Sequence, residues 1–385
     1  IKNTNSKWKP FGAFIFYKGG VSLFKKNIDY AKVHLIFGGG KGEIFKEILS
    51  REEKLELKTK KEINDFIRNF NFSQKEKESI DKRIKGTDFN KVEDYILKNN
   101  IKIVSLFDKD YPDSLRNVFD PPNLLYLTGE IKEYFRIAVV GPRNPSNYAK
   151  ECTKKIVRTL SENNISIISG MAAGIDRIAH EESYLASGGS IGVLGAGIDV
   201  VYPKENYQLY NKMKKMPQNI LLSEFPLGFP PAKYTFPKRN RIISGLSQGV
   251  LITEGTKKSG SMITARHAYE QGKSVYALPG LVSNPLTKGV HQLIKDGATL
   301  IESAGDILED LYPMLKIQAE NKKFLNLTDI ELSIVEKLEV NPGTIEEIIS
   351  FSGLGVNETL KFVSVLEIKG IIKKEINNKY FVIIW

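Results

Sequence analysis

Short apolar runs alternate with longer helical patterns through the middle of the chain. Each run spans three to five residues, and several runs are followed directly by Gly or Ser. Alternation of this kind is typical of a parallel sheet with helices on both faces. We therefore predict an α/β core whose strands lie at 137–140, 165–168, 190–194, 220–222, 249–252 and 274–278.

The segments on either side of this core have different patterns. Residues 33–100 carry apolar positions at helical spacing, which predicts a small helical domain, whereas 1–32 are hard to interpret. Residues 101–130 contain two apolar runs separated by prolines, which predicts a hairpin-like connection. The last sixty residues predict three helices and then a hairpin, the order of a winged helix. The predicted domains are 1–100, 101–320 and 321–385.

The charge of the chain is unevenly distributed. Its net charge is +11 over 385 residues. Residues 1–100 contribute +8 and 131–320 contribute +6, whereas 101–130 contribute −2 and 321–385 contribute −1. A basic body with a near-neutral tail favours a polyanionic partner. A Lys-rich surface that only maintains solubility explains the composition about equally well.

Several classes of protein are disfavoured by what the sequence lacks. Cys152 is the single cysteine, so a disulfide framework and a cysteine metal site are excluded. The four histidines have no ligand spacing, and we predict no metal and no cofactor. No apolar run reaches the roughly 18 residues of a membrane span. We therefore expect a cytoplasmic protein without a membrane partner.

The richest stretch for binding chemistry runs from Phe236 to Arg266. It begins with Lys238, Arg239 and Arg241, split by Asn240, and continues through the strand 249–252. Ser259, Gly260 and Ser261 then lead into a helix, whose first N–H groups have no intrahelical partner and attract anions. These features predict a ligand that carries phosphate, either a nucleotide or a nucleic acid.

Other candidate groups follow the predicted strands, at the edge where α/β proteins bind ligands. Gly141 and Arg143 follow the first strand, Gly170 the second and Lys204 the third. The Gly-rich loops at 170–176 and 195–197 match the dinucleotide fingerprint only in part and are weak evidence for NAD. The turn at 38–42 lacks the pattern of a P-loop, and a turn between two helices is the better interpretation.

Catalytic constellations are not evident in the sequence. Asp176 and His180 share one helical face, and Glu224 and Glu254 end strands, but no G-x-S-x-G elbow or HExxH motif accompanies them. An Asp–His pair needs a nucleophile or a metal to act. We therefore predict that Asp176 and His180 cap and pack their helix, and we predict no catalytic residue.

A set of colinear blocks between 111 and 300 resembles the DNA processing protein A family (DprA, also called Smf). The blocks read YPDSLRNVFDPPNLLYLTG, VVGPRNPSNYA, SGMAAGIDRIAH, GGSIGVLGAGIDVVYPKEN, LLSEFPLGFPP, FPKRNRIISGLSQGVLITEG, KSGSMITARHAYEQGKSVYALPG and GVHQLIKDGA. The resemblance implies an extended Rossmann-like parallel sheet, flanked by a small N-terminal helical (SAM-like) domain and a C-terminal winged helix.

The resemblance also implies a function. Members of the family bind single-stranded DNA without being enzymes, protect incoming strands in natural transformation and help to load the RecA recombinase. They generally act as homodimers built through the Rossmann-like domain. By similarity, the DNA pocket would contain Arg143, Lys204 and Lys238 with Gly141 and Gly170, and Arg239, Asn240 and Arg241 belong to the same motif as Lys238.

Two departures affect the details of this expected pocket. Pro142 stands where Ser or Thr is usual, which removes a contact to phosphate, and Ala173 stands where Arg is common. We further expect Phe236 or Tyr234 to offer a stacking face to bases. The charge of −1 on the tail favours partner docking or packing over strong DNA binding by the winged helix.

Two alternative functions remain open from the sequence. One is a nucleotide-cleaving enzyme of the lysine-decarboxylase-like phosphoribohydrolase kind, which carries PGG-x-G-T-x-x-E. Here Glu254-Gly255-Thr256 is followed by Lys257-Lys258 without the preceding PGG and without the final Glu. The other is a DNA-binding regulator that acts through the winged helix.

Overall fold

The computed structural model describes most of the chain. The described residues are 20–38, 42–50, 57, 59–132, 134–311, 313–314, 327–369, 371–374 and 378–382. Most of the poorly interpretable leader, the centre of the Gly-rich turn at 38–42 and the turn of the C-terminal hairpin lie outside these ranges. The chain divides into two compact units, Ile1–Ala304 and Gly305–Trp385.

The first unit is built around a nine-stranded sheet with the order β1-β2-β6-β5-β4-β3-β7-β8-β9. The strands from β3 to β9 are parallel, and β2 pairs antiparallel with both β1 and β6. The strands are β1 Lys102–Ser105, β2 Leu124–Leu127, β3 Arg136–Val140, β4 Ser166–Ser169, β5 Ser190–Leu194, β6 Ile220–Ser223, β7 Gly249–Ile252, β8 Ser274–Ala277 and β9 Thr299–Leu300.

The sequence predictions for this sheet are confirmed. Each of the six predicted strands overlaps an observed one, with ends that differ by one residue at most. The predicted hairpin-like segment forms β1 and β2, which extend the sheet at its β6 edge. The central strands are apolar along their whole length because helices cover both faces, so every residue of β4, β5 and β7 is buried.

Helices cross over between the parallel strands. Their N-termini lie near the carboxyl ends of the strands that precede them, so the loops between strand and helix collect at one edge of the sheet. The helices of this part are α6 Asp113–Arg116, α7 Asn147–Glu162, α8 Ile175–Ser183, α9 Tyr207–Lys215, α10 Thr235–Leu246, α11 Gly260–Glu270 and α12 Lys288–Lys295.

The N-terminal helices pack on the sheet and share one apolar core with it. That core joins Ile36 and Phe45 from the helices to Leu124 and Tyr126 of β2. Capping boxes at Thr59 and Ser73 define the starts of two of the helices, as the sequence of each first turn requires. The helices are α1 Gly20–Phe37, α2 Gly42–Ser50, α3 Lys60–Arg68, α4 Gln74–Gly86 and α5 Phe89–Lys98.

From residue 327 onward, the described residues of the second unit form three helices and a two-stranded antiparallel sheet, in the predicted order. Thr344 and Glu347 form the predicted capping box, and Gly353 ends the second helix in the left-handed conformation. The identification of this unit as a winged helix stays a prediction. Its elements are α13 Asp329–Val340, α14 Ile345–Ser352, α15 Val356–Ile368, β10 Ile372–Lys374 and β11 Tyr380–Val382.

Among the residues described, no helix has both the length and the apolar character that a membrane crossing requires.

Candidate nucleic-acid interface

The centre of the interface is the point where the strand order of the sheet reverses. The chain leaves β3 toward β4 on one side, while β7 pairs with β3 on the other. In an open parallel sheet this reversal opens a crevice beyond the carboxyl ends of the two strands. The loop 141–146 after β3 and the loop 253–259 after β7 border this crevice.

Arg143 lies in the first of these loops and is exposed. Its Cζ lies 5.7 Å from the centroid of the Phe236 ring, a cation–π geometry that holds the guanidinium over the first turn of α10. The ring of Tyr202 lies 5.5 Å from that of Phe236 on another side. The three side chains form a partly exposed platform that combines one positive charge with two aromatic faces.

Lys204 is fixed next to this platform by its neighbours in the chain. It begins the turn Lys204–Asn206 and is exposed. Asn206 is buried and donates hydrogen bonds of 2.8 Å and 3.1 Å to the carbonyl oxygens of Met171 and Ala172. These bonds tie the turn that carries Lys204 to the Gly170 loop, so both predicted features lie at one edge.

The basic residues of the predicted cluster on α10 lie on different faces of the helix. Successive helical residues point about 100° apart, so Lys238, Arg239 and Arg241 cannot all face one ligand. Lys238 is exposed, and its Nζ lies 3.8 Å from Oε2 of Glu224. Arg239 and Arg241 are buried, with 4% and 6% of their surfaces exposed. This placement departs from the prediction that the whole cluster faces a phosphate.

Arg241 is occupied by an internal ion pair. Its Nη1 and Nη2 donate to the two carboxylate oxygens of Glu224 at 2.9 Å and 2.7 Å, and its Nε contacts Asp120 at 3.2 Å. Bidentate pairing of this kind uses the directional donors of the guanidinium. Arg241 therefore joins α10 to the end of β6, and its donors are used inside the protein.

Arg239 lies between the ends of β4 and β5. Its guanidinium donates to the carbonyl oxygens of Gly170 and Val193, and its Nε donates to Oδ1 of Asn240 at 3.2 Å. Burial, together with the positive charge of Arg143, lowers the pKa of Arg239 to about 10, although the negative charge of Asp176 opposes the shift. Arg239 remains protonated at neutral pH.

The two predicted glycines are needed for close packing. A Cβ on Gly141 would lie 2.6 Å from atoms of Ile175 and Thr253, and one on Gly170 would lie 2.4 Å from Nη2 of Arg239. Asn240, which is 8% exposed, donates to the carbonyl oxygen of Gly260 at 3.3 Å and so links α10 to the start of α11.

Two cavities open at this edge. A small apolar cavity of about 50 Å³ lies below Arg143, Tyr202 and Phe236. A larger cleft of about 370 Å³ lies on the other side of Arg143, toward Ser259 and α11. Sequence reasoning missed Tyr202 and Thr264, which line them. The Tyr-Pro dipeptide before Lys204 was a usable signal for Tyr202. The position of Thr264 at the cleft can be recognised only once the start of α11 is located in the structure.

Asp176 and His180 lie inside the protein, as their predicted structural role requires. Oδ2 of Asp176 accepts hydrogen bonds from the N–H groups of Gly170 and Ala172, at 3.1 Å and 3.4 Å. Nδ1 of His180 lies 2.7 Å from the hydroxyl of Ser190. Burial raises the pKa of Asp176 and lowers the pKa of His180 to about 3. The pair orders the Gly170 loop and helix α8.

Glu254, the other carboxylate at a strand end, is also committed to the fold. It is 1% exposed and accepts hydrogen bonds from the N–H and hydroxyl of Ser146, at 2.9 Å and 2.6 Å, and from Asn284 at 3.1 Å. Across the described ranges, no group of three or more His, Cys, Asp and Glu side chains is arranged to hold a metal ion.

Known proteins resemble this chain over the same region. A family model described as DNA recombination-mediator protein A matches residues 102–312. The DNA processing protein DprA of Bacillus subtilis is 42% identical over 217 residues, which are 56% of this chain and 72% of that protein. Protein Smf of Escherichia coli is 44% identical over 203 residues, 52% of this chain and 54% of Smf, so the chain spans about half of that relative.

A solved structure agrees with the sequence matches. The X-ray structure of DNA processing protein A from Streptococcus pneumoniae is 32% identical, with a TM-score of 0.59, and the match covers 74% of this chain and 97% of that one. The family match contains the whole parallel sheet, the reversal point and the residues at its carboxyl edge. The chain therefore belongs to the DprA/Smf family of DNA recombination mediators.

Proposed function

We propose that the chain binds single-stranded DNA along a cationic edge formed by Arg143, Lys204 and Lys238. As a recombination mediator it would protect incoming strands in natural transformation and deliver them to a RecA-type recombinase. The observation that carries the proposal is that some of the predicted basic residues are exposed and others are buried. The three exposed cations lie at the carboxyl edge of the sheet, whereas Arg239 and Arg241 are buried.

Counterion release is the expected source of affinity. Each cation that neutralises a phosphate releases condensed counterions, so the logarithm of the affinity falls by about 0.7 per contact for each tenfold increase in salt. Three contacts give a slope of about −2 for one protomer, and a homodimer with two engaged edges would double it. A homodimer would also gain by effective concentration on one strand.

Preference for single strands would come from the aromatic platform. The rings of Tyr202 and Phe236 lie beside Arg143, and Tyr234, two residues before Phe236, is 63% exposed. Base stacking on an aromatic ring contributes about 1–3 kcal/mol per base, and it requires a base that is not already stacked in a duplex. The platform therefore favours unpaired strands and discriminates little between bases.

Binding rather than catalysis is the proposed activity. In the rival phosphoribohydrolase interpretation, a carboxylate of the Glu254 loop would have to reach a substrate. Glu254 instead holds Ser146 and Asn284 inside the protein, and Asp176 holds the Gly170 loop. We propose a cytoplasmic protein that acts without turnover of nucleotides.

A binding comparison tests the proposal directly. Fluorescence anisotropy would follow oligo-dT of about 30 nucleotides and a duplex of equal length at several salt concentrations, with nucleoside monophosphate hydrolysis measured in parallel. We expect binding to oligo-dT at least tenfold tighter than to duplex, a marked decrease with salt, and no hydrolysis. Equal affinity for the duplex, or hydrolysis of the nucleotide, would overturn the proposal.

A further inference from the structure

A second group of exposed cations lies on the N-terminal helices. Its members come from the first turn of α3 and the last five residues of α4. Those two helix ends lie side by side, because Nζ of Lys60 donates a hydrogen bond of 2.8 Å to the carbonyl oxygen of Lys85. We call this group the helical basic face, and its members are Lys60, Lys61, Lys82, Arg83 and Lys85, all exposed.

The protein neutralises only part of the charge of this face. The same two helix ends carry two carboxylates, those of Glu62 and Asp81, against five cations. Glu62 is engaged in the capping box of α3, where it accepts the N–H of Thr59 at 2.8 Å. None of the five cations forms an ion pair with a carboxylate of the described ranges, so the face keeps a net positive charge.

Lys61 is also unfavourably placed within its own helix. It lies in the first turn of α3, at the positive end of the helix dipole, where a carboxylate would be favoured. Lys60 lies in the same turn, but its ammonium group reaches the carbonyl oxygen of Lys85 at the negative end of α4. Lys61 has no such acceptor among the described residues. A phosphate beside Lys61 would compensate both the dipole and the neighbouring cations, which indicates a polyanionic ligand.

The end of α1 connects the helical basic face to the cationic edge. Nη1 of Arg83 donates a hydrogen bond of 2.8 Å to the carbonyl oxygen of Ile36, and a Cβ on Gly38 would lie 2.6 Å from the guanidinium. Gly38 in turn donates its N–H to the carbonyl oxygen of His34 at 3.0 Å, one helical turn earlier. The side chain of His34 lines a small pocket that Lys238 also lines. A path of contacts therefore leads from Lys238 to Arg83.

The carboxylates along this path have positive partners of their own. Glu224 and Asp120 border the same pocket, and both pair with Arg241, at 2.7 Å and 3.2 Å. Glu43 is exposed at the start of α2, where the positive end of the helix dipole stabilises its charge. A strand that leaves Lys238 in this direction therefore passes carboxylates that are already compensated and then reaches five cations.

We propose that the helical basic face is a second contact surface for single-stranded DNA, occupied by the strand that continues from Lys238 past the end of α1. The inference rests on the proposed function, because it concerns the next phosphates of the same strand. Lysine ammonium groups contact phosphates as mobile point charges, and the face contains no aromatic side chain, so it adds affinity without base preference. A short strand would fill the cationic edge alone, whereas a longer strand would reach both surfaces.

The length of the oligonucleotide separates the two surfaces in a binding test. Fluorescence anisotropy of the full chain would follow oligo-dT of about 6 and about 30 nucleotides at several salt concentrations, since one binding fold covers about 4–16 nucleotides. The double variant Lys82→Gln/Lys85→Gln removes two exposed cations of the face. The matched control Lys91→Gln/Lys98→Gln removes two exposed lysines of α5, whose ion pairs lie within that helix and its N-cap.

Counterion release sets the expected size of the effect. Each phosphate contact contributes about 0.7 to the salt slope, so Lys82→Gln/Lys85→Gln should lower the magnitude of the slope for the longer strand by about 1.4. We expect the same variant to leave binding of the short strand unchanged, and the α5 control to leave both unchanged. Equal slopes for the double variant and the control would overturn the inference, and so would an equal loss for the two strand lengths.

Failure of the helical basic face and failure of the proposed function give different results. If the unmodified chain binds both strands and Lys82→Gln/Lys85→Gln binds them with the same slopes, only the face is wrong. If the unmodified chain binds neither strand, the proposed function fails, and the inference fails with it. A duplex of about 30 base pairs is measured in parallel, and a loss confined to the duplex would assign the face to double-stranded DNA and overturn the inference.

Discussion

Lys238 shares its carboxylate partner with a buried arginine. Its Nζ lies 3.8 Å from Oε2 of Glu224, and the same oxygen accepts a hydrogen bond of 2.7 Å from Nη2 of Arg241. The side chain of Lys238 is 40% exposed, whereas those of Glu224 and Arg241 are 6% and 7% exposed. Glu224 therefore stabilises the fold through its ion pair with Arg241 and also orients the exposed Lys238.

The first prediction concerns this shared carboxylate. Glu224→Gln would leave the guanidinium of Arg241 buried without its main counter-charge, which costs about 3–5 kcal/mol. Asp120→Asn removes the other carboxylate on Arg241, whose side chain is 59% exposed, and we expect a loss below about 1 kcal/mol. Urea unfolding of both variants at pH 7 measures the difference, and similar losses would show that the Glu224 pair does not dominate.

The second prediction concerns the cationic edge. Arg143→Glu and Lys238→Glu each replace a cation of the proposed edge with an anion, so we expect each to lower oligo-dT affinity at least a hundredfold. The melting temperature should stay unchanged in Arg143→Glu and fall slightly in Lys238→Glu, because the new carboxylate faces Glu224. Lys154→Glu is the control, because Lys154 is a cation of α7 whose side chain is 40% exposed and whose ion pair with Glu151 lies within its own helix. Anisotropy at one fixed salt concentration compares the three, and a loss in Lys154→Glu equal to the others would indicate a nonspecific charge effect.

The sheet could be predicted from the sequence, and so could the edge to which we assign the proposed site. Buried parallel strands are continuous apolar runs, and Gly141 and Gly170 follow two of them directly, which locates the carboxyl ends. The three exposed cations of the edge were all among the residues predicted from the sequence. The features that depend on local sequence pattern, namely the strands and their carboxyl ends, could therefore be predicted.

The orientation of the basic residues on α10 was partly predictable. Arg239, Ile242, Ile243 and Leu246 follow the spacing i, i+3, i+4 and i+7 of one buried helical face, so helical periodicity alone would have assigned Arg239 to the interior. The burial of Arg241 was not predictable, because its partner Glu224 lies 17 residues earlier in the chain, directly after strand β6. Such pairing depends on the tertiary fold.

The third prediction concerns the packing of Gly170. A Cβ at this position would lie 2.4 Å from Nη2 of Arg239, whose guanidinium is held by two carbonyl oxygens. Gly170→Ala must displace that guanidinium, and we expect a loss of about 1–3 kcal/mol in the free energy of unfolding. Gly86→Ala, at the end of α4, has no atom within 4 Å of the new Cβ, and we expect no loss.

Denaturant unfolding of the two glycine variants provides the comparison. Equal stabilities of Gly170→Ala and Gly86→Ala would show that Arg239 moves freely, contrary to the hydrogen bonds that fix it.

The last prediction concerns acid destabilisation. Burial lowers the pKa of His180 from 6.5 to about 3, so the unfolded chain binds a proton that the folded chain excludes between these values. The stabilisation from the neutral imidazole is complete above pH 6.5 and decreases as the pH falls toward 3. From pH 7.5 to pH 5 it decreases by about 2 kcal/mol. Urea unfolding at pH 7.5 and pH 5 measures this loss of stability. We expect the loss in His180→Gln to be smaller than in the unmodified chain by about that amount, because the other groups titrate alike in both proteins. Equal losses would mean that His180 is protonated in the folded chain.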